Sequence, residues 1–134
     1  MSKLESALAA AQSQMPDCVA SGYVDMSTGL LLGVRTVDSH PREVLDLVAA
    51  ATADLFQGSN VTAIEKMFKN ARGVNETQHY FEEILVMSHN LLHVFMRSKK
   101  YPDHALVFVC RKSANIGMAI AKARISMPSI EASV

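Results

Sequence analysis

Residues 18–37, CVASGYVDMSTGLLLGVRTV, constrain the fold of this chain more than any other stretch. Two apolar runs, residues 19–24 and 30–34, flank the segment DMSTG at 25–29, which is rich in turn formers. Gly29 can take the positive φ that a short connection demands, and Asp25 and Ser27 can hydrogen-bond their own backbone. The spacing predicts a β-hairpin whose turn runs from Asp25 to Gly29. Apolar side chains fall on both faces of its strands: Val19, Tyr23 and Val24, then Leu30, Leu31 and Leu32. Such a hairpin has to be covered on both sides. The rest of the chain reads as that cover.

Residues 2–15 predict a short amphipathic helix, with Leu4, Ala7, Leu8 and Ala11 on one stripe and Ser2 and Glu5 placed as a capping pair. Pro16 stops it and leads into the hairpin. A second helix opens at DSHP, residues 38–41, with Ser or Asp as its cap and Glu43 in its first turn. Its expected apolar face is Val44, Leu45, Val48, Thr52, Leu55 and Phe56, with Ala49, Ala50 and Ala51 alongside. Gly58-Ser-Asn60 interrupts the pattern, and a further helical stretch carries Val61, Ile64, Phe68 and Ala71 on one side until Arg72-Gly73. Residues 74–80 are a polar connector.

Three extended runs follow, at 81–88, 91–97 and 105–111, with turns at 88–90 and 99–103. Glu82 and Glu83 make the first run an edge strand. The unbroken apolar run in the third predicts a central strand, with Val107 and Val109 buried on one face and Leu106 and Phe108 on the other. A last helix spans 113–127, with Ser113 as cap and Ile116, Ala119, Ile120, Ala123 and Met127 as inner stripe. Gly117 is expected where that helix touches the sheet. Pro128 is expected to end it and leave 129–134 as a flexible tail. The whole is one α+β domain over 1–128, ordered α-β-β-α-β-β-β-α, a five-stranded antiparallel sheet with helices on both faces.

Charge narrows the function classes. Lys+Arg and Asp+Glu each number 13, so the chain lacks the basic excess of a nucleic-acid binder. The local RSKK cluster at 97–100 reads as a solvated strand end. No apolar run reaches the length of a membrane span, and Glu5 and Gln12 break any signal-peptide pattern. Two cysteines without framework spacing point to reduced thiols and a cytoplasmic setting.

Catalytic chemistry finds no foothold. His79, His89, His93 and His104 lack the converging ligand spacing that zinc needs. Cys110, on an apolar strand, reads as a small buried hydrophobe rather than a nucleophile. Glu82 and Glu83, as strand neighbours, point to opposite faces. Met87, Met96, Met118 and Met127 read as core gap-fillers, and Gly29 and Gly33 stand at no strand-to-helix junction where a phosphate is held. The expectation is no enzyme, no metal and no cofactor.

Several motifs together resemble the roadblock family, which comprises the dynein light chain roadblock-type domain and bacterial partners of Ras-like GTPases. They are MPDC at 15–18 leading into strand one, GYVD at 22–25 followed by TGLL at 28–31, the meander over 81–111, and RKSANIG at 111–117 entering the last helix. Residues 57–80 are longer than the family pattern between middle helix and third strand. The resemblance implies a roadblock/profilin-like fold and a homodimer that binds or regulates a Ras-like small GTPase. If a catalytic arginine is supplied to that GTPase, Arg35, Arg97 and Arg111 are the candidates. The apolar edge strand supports association, so the dimer interface is placed at Ile84, Leu85, Val86 and Met87 with Val48, Thr52 and Leu55 of the middle helix. The alternative is a small-ligand sensor with a pocket between sheet and helices.

Overall fold

A computed structural model describes residues 2–38, 42–73 and 79–134. The elements are α1 (Lys3–Gln14), β1 (Cys18–Asp25), β2 (Leu30–Thr36), α2 (Arg42–Gln57), α3 (Ser59–Arg72), β3 (Glu83–Met87), β4 (Leu91–Arg97), β5 (His104–Arg111) and α4 (Ile116–Glu131). The expected cap at 39–41, the side chain of Val44 and most of the 74–80 connector lie outside the described residues. The strands form one antiparallel sheet in the order β2-β1-β5-β4-β3. Hairpin and meander are each made of sequence neighbours, and the β1–β5 pairing joins them.

Helices cover both faces, as the apolar hairpin demands. Leu4 and Leu8 of α1 and Ala119, Ala123, Met127 and Ile130 of α4 pack on Tyr23, Leu92, Val94, Leu106 and Phe108. Ala49 and Phe56 of α2 pack on the opposite face, against Val24, Phe95, Ala105 and Val107. The alternation along β5 follows from the strand's period of two. Leu106, Phe108 and Val107 are buried, while Val109, expected to be equally so, is only half-buried, because it borders an open space between the sheet and Leu45 and Val48 of α2.

Local chemistry explains the element ends. Ser2 Oγ accepts the Glu5 N–H at 3.0 Å and donates to the Glu5 carboxylate at 3.1 Å, fixing the start of α1. In the hairpin, Asp25 Oδ1 accepts the Ser27 N–H at 3.0 Å, and Gly29 N–H donates to Asp25 O at 2.8 Å. Gly29 has φ 74°, and a side chain there would meet no atom within 4 Å. The demand at Gly29 is therefore on backbone conformation alone. Gly29→Val is expected to lose about 1–3 kcal/mol in urea unfolding, and Gly29→Asn, which tolerates this region, less.

Gly33 answers a packing demand instead. A Cβ on it would lie 2.9 Å from Leu4 Cδ2, 3.1 Å from Leu4 Cγ and 3.3 Å from Leu8 Cδ1. The missing side chain lets α1 settle onto β2. Gly33→Ala is expected to cost about 1–3 kcal/mol through overpacking. Combined with Leu4→Ala, it should cost clearly less than the sum of the two, which a double-mutant cycle checks.

Several sequence expectations need correction around α4. Its cap is Asn115, whose Oδ1 accepts the Met118 N–H at 2.9 Å, and Ser113 Oγ instead reaches Asp17 Oδ2 at 3.3 Å. Gly117 is exposed and touches no strand, with only Asn115 Oδ1 within reach at 3.4 Å, so Ala119 and Ala123 make the close approach. The helix passes through Pro128 to Glu131, so residues 129–131 are helical rather than a tail. Ile130 is fully buried, and the Glu131 carboxylate accepts from Ser98 Oγ and from the Lys100 N–H at 2.9 Å. Those tertiary contacts offset the proline's cost of about 3 kcal/mol. Among the methionines, Met96 and Met127 fill the core, but Met87 and Met118 are exposed.

Candidate interaction surface

Where α2 ends, the chain is tied to the meander by Arg97. This β4 side chain is 7% exposed, and its guanidinium donates to four oxygens. They are Phe56 O at 3.0 Å, Gln57 Oε1 at 2.9 Å, Pro102 O at 2.7 Å and Phe81 O at 2.9 Å. The same group lies 5.1 Å above the Phe56 ring. Burial pushes its pKa down, but a guanidinium does not lose its proton in a protein. Arg97 is thus a structural tie rather than an arginine available to a partner, and the solvated strand end expected at 97–100 begins with two buried residues, Arg97 and Ser98.

The stretch α3 is fastened in a similar way. Glu65, 3% exposed, accepts the Tyr80 N–H at 2.5 Å and meets His79 Nδ1 at 3.0 Å. Burial alone pushes its carboxyl up, yet these partners hold it below the ordinary glutamate range. Phe68 stacks on Tyr80 with ring centres 6.1 Å apart. The extension therefore docks against the start of the meander and leaves the outer edge of β3 without a ladder partner among the described residues.

Apolar side chains are exposed on three elements. Leu85, Val86 and Met87 are exposed on β3, and Phe81 just before it, while Ile84 is half-buried under α2. On α2, Val48 and Leu55 are exposed, joined by Leu47 at 70%. On α3, Ile64 and Phe68 are exposed, and Met67 at 69%. Thr52, expected on this surface, is fully buried instead, its Oγ1 donating to Val48 O at 2.8 Å, because it lies on the sheet-facing side of α2. Sequence reasoning missed Leu47 and Met67. The signal was present: α2 is apolar on more than one side, and a helix apolar all round is a buried one. It also missed that β2 is a second edge, with Leu30 and Leu32 exposed.

The chemically tempting residues are dispersed. Tyr23 OH meets His104 Nδ1 at 3.0 Å, and burial pushes the phenol up to about 12. His93 Nε2 meets Ser88 Oγ at 3.2 Å, and His89 lies on an exposed turn. Among the described residues no group of three His, Cys, Asp or Glu converges as a metal site. Cys18 and Cys110 pair across β1 and β5 on the α1/α4 side. Their mutual hydrogen bond and burial push the Cys18 thiol up, away from nucleophilic behaviour. Arg35 is half-buried and Arg111 exposed. No helix among the described residues is long and apolar enough to cross a membrane.

Strand order and helix placement define the class: the chain has the roadblock fold, an α+β arrangement around an open five-stranded antiparallel sheet. It is similar to Myxococcus xanthus MglB, with TM-score 0.68 and 14% identity over 96% of this chain and 91% of that one. It is also similar to a Roadblock/LC7 domain from Streptomyces avermitilis, with TM-score 0.68 and 12% identity over 96% and 94%. MglC from Myxococcus xanthus matches with TM-score 0.62 and 16% identity over 98% and 99%. No protein-family sequence profile and no curated protein matches the chain.

Proposed function

We propose that this chain is a non-enzymatic cytoplasmic interaction module that forms a homodimer and, as a dimer, binds or regulates a Ras-like small GTPase. One observation carries the reading: an apolar edge strand without a ladder partner among the described residues, in a molecule whose α2 and α3 also expose apolar side chains. Two copies of β3 related by a two-fold axis can pair antiparallel, satisfying backbone groups and burying Val86, Val48 and Leu55 together. A similar structure is described as MglB with tetrameric arrangement, which fits a fold that associates with itself. The GTPase partner is brought by the roadblock resemblance and by the MglB-like structures, and it is an inference from fold.

Sedimentation of the unmodified chain at micromolar concentration tests the first half. A dimer is expected, and a monomer rejects it. For the second half, the Ras-like GTPases encoded in the same genome are purified and titrated in GTP-analogue and GDP forms. Binding that differs at least tenfold between the two forms is expected for one of them. Failure of all of them to bind rejects the GTPase reading while leaving the dimer standing.

A further inference from the structure

On the α2 side, two rows of paired residues cross the sheet. One runs Val86, His93, Val109, Ala20, Thr36 and the next Ile84, Phe95, Val107, Gly22, Val34. The flanking strands bring valine, histidine and phenylalanine to these rows, whereas β1 brings only Ala20 and Gly22. Above them α2 is filled in unevenly. Ala49 and Phe56 pack down onto Val24, Phe95 and Val107, but toward the start of the helix the roof is Leu45 and Val48. Between that roof and the small residues of β1 lies a cavity of about 240 Å³, walled by Val19, Val34, Leu91, Val107 and Val109.

The void is not required by crowding. A Cβ on Gly22 would make only ordinary contacts, 3.5 Å from Leu31 Cδ1 and 3.7 Å from Gly33 O. A larger residue is sterically admissible there. The lining chemistry is nearly all hydrocarbon. The titratable groups among the described lining residues are Asp38 and His93; His93 Nε2 is engaged by Ser88 Oγ, and burial pushes its pKa down so that the ring is neutral near pH 7. Asp38, an exposed lining residue, disfavours an anion.

We propose that this cavity is a binding site for a small uncharged apolar molecule, of the size of one substituted aromatic ring. The volume suits it: a dry apolar cavity of about 150 Å³ already takes up benzene. The larger space here leaves room for a short substituent, and the neutral wall selects against charged analogues. The proposal does not depend on the GTPase or dimer reading and goes beyond both.

The test titrates the full chain with indole and, separately, with benzoate as a charged probe of similar size. Saturable binding of indole at one per chain is expected, with benzoate at least tenfold weaker. Contacts from bound indole to the Val107 and Val109 methyl groups are expected in nuclear Overhauser spectra. Ala20→Leu fills the floor and should weaken indole binding at least tenfold while the fold, followed by circular dichroism, is kept. Val48→Phe fills from the roof and serves if Ala20→Leu does not fold. No saturable indole binding, no contact to those methyl groups, or binding indifferent to a folded filling variant overturns the proposal. A partner copy's side chain occupying the space would appear as the first of these outcomes.

Discussion

Arg97→Ala is expected to lower the thermal midpoint by about 10–20 °C. The side chain holds the Phe56 carbonyl and the Gln57 side-chain oxygen at the end of α2, the Phe81 carbonyl before β3 and the Pro102 carbonyl in the β4–β5 turn. Removing it leaves several buried acceptors without donors at once. Breaking a buried, charge-assisted set of this kind costs about 3–5 kcal/mol, and for a domain of this size each kcal/mol moves the midpoint by about 3–5 °C. Arg97→Lys should recover only part of the loss, because an ammonium cannot reproduce a planar fork aimed at four separate oxygens. A calorimetric scan of the three proteins checks this. Alanine and lysine variants melting with the parent would mean that the tie is not structural.

Val86→Lys is expected to weaken the proposed self-association by at least a hundredfold, and Leu85→Lys by less. Val86 pairs with His93 and so points to the α2 side of the sheet, the side on which α2 exposes Val48 and Leu55. Leu85 pairs with Val94 and points to the α4 side. A lysine charge buried without a partner at an interface costs about 3–5 kcal/mol, and about 1.4 kcal/mol is tenfold in affinity. Leu32→Lys, on the opposite edge strand β2, is the control and should leave the dimer intact. Sedimentation across a concentration series reads all three. A dimer indifferent to Val86→Lys and Leu85→Lys but broken by Leu32→Lys would move the interface to the other edge.

Much of this fold was legible before any coordinates. The unbroken apolar run along 105–111 announced a strand covered on both faces, and the hairpin at 18–37 announced helices enough to cover it. Where reasoning slipped, it had used local rules against long-range contacts. Pro128 was taken as a stop because the ring costs helix stability, yet Ile130 and Glu131 have partners in the core and the β4–β5 turn that outweigh it. Gly117 was taken as the close-contact glycine because it interrupts helix formers, but Gly33 has that role, as only the placement of α1 reveals. The surface was half legible. The β3 residues followed from their edge position, but an apolar position on α2 cannot declare which of two apolar sides faces the sheet, and so Thr52 was placed outward and Leu47 overlooked.

By itself, then, the sequence determined the elements, their order, the α1 cap, the hairpin turn and the need for cover on both faces. These depend on residues within a few positions of one another, where backbone preference and side-chain period act directly. Only the tertiary structure decided that Arg97 is an internal tie, that α3 leaves the β3 edge open, and that α2 roofs a cavity over Ala20 and Gly22. Each of those depends on groups brought together from distant parts of the chain, and their energies arise only once the sheet and helices have closed around them.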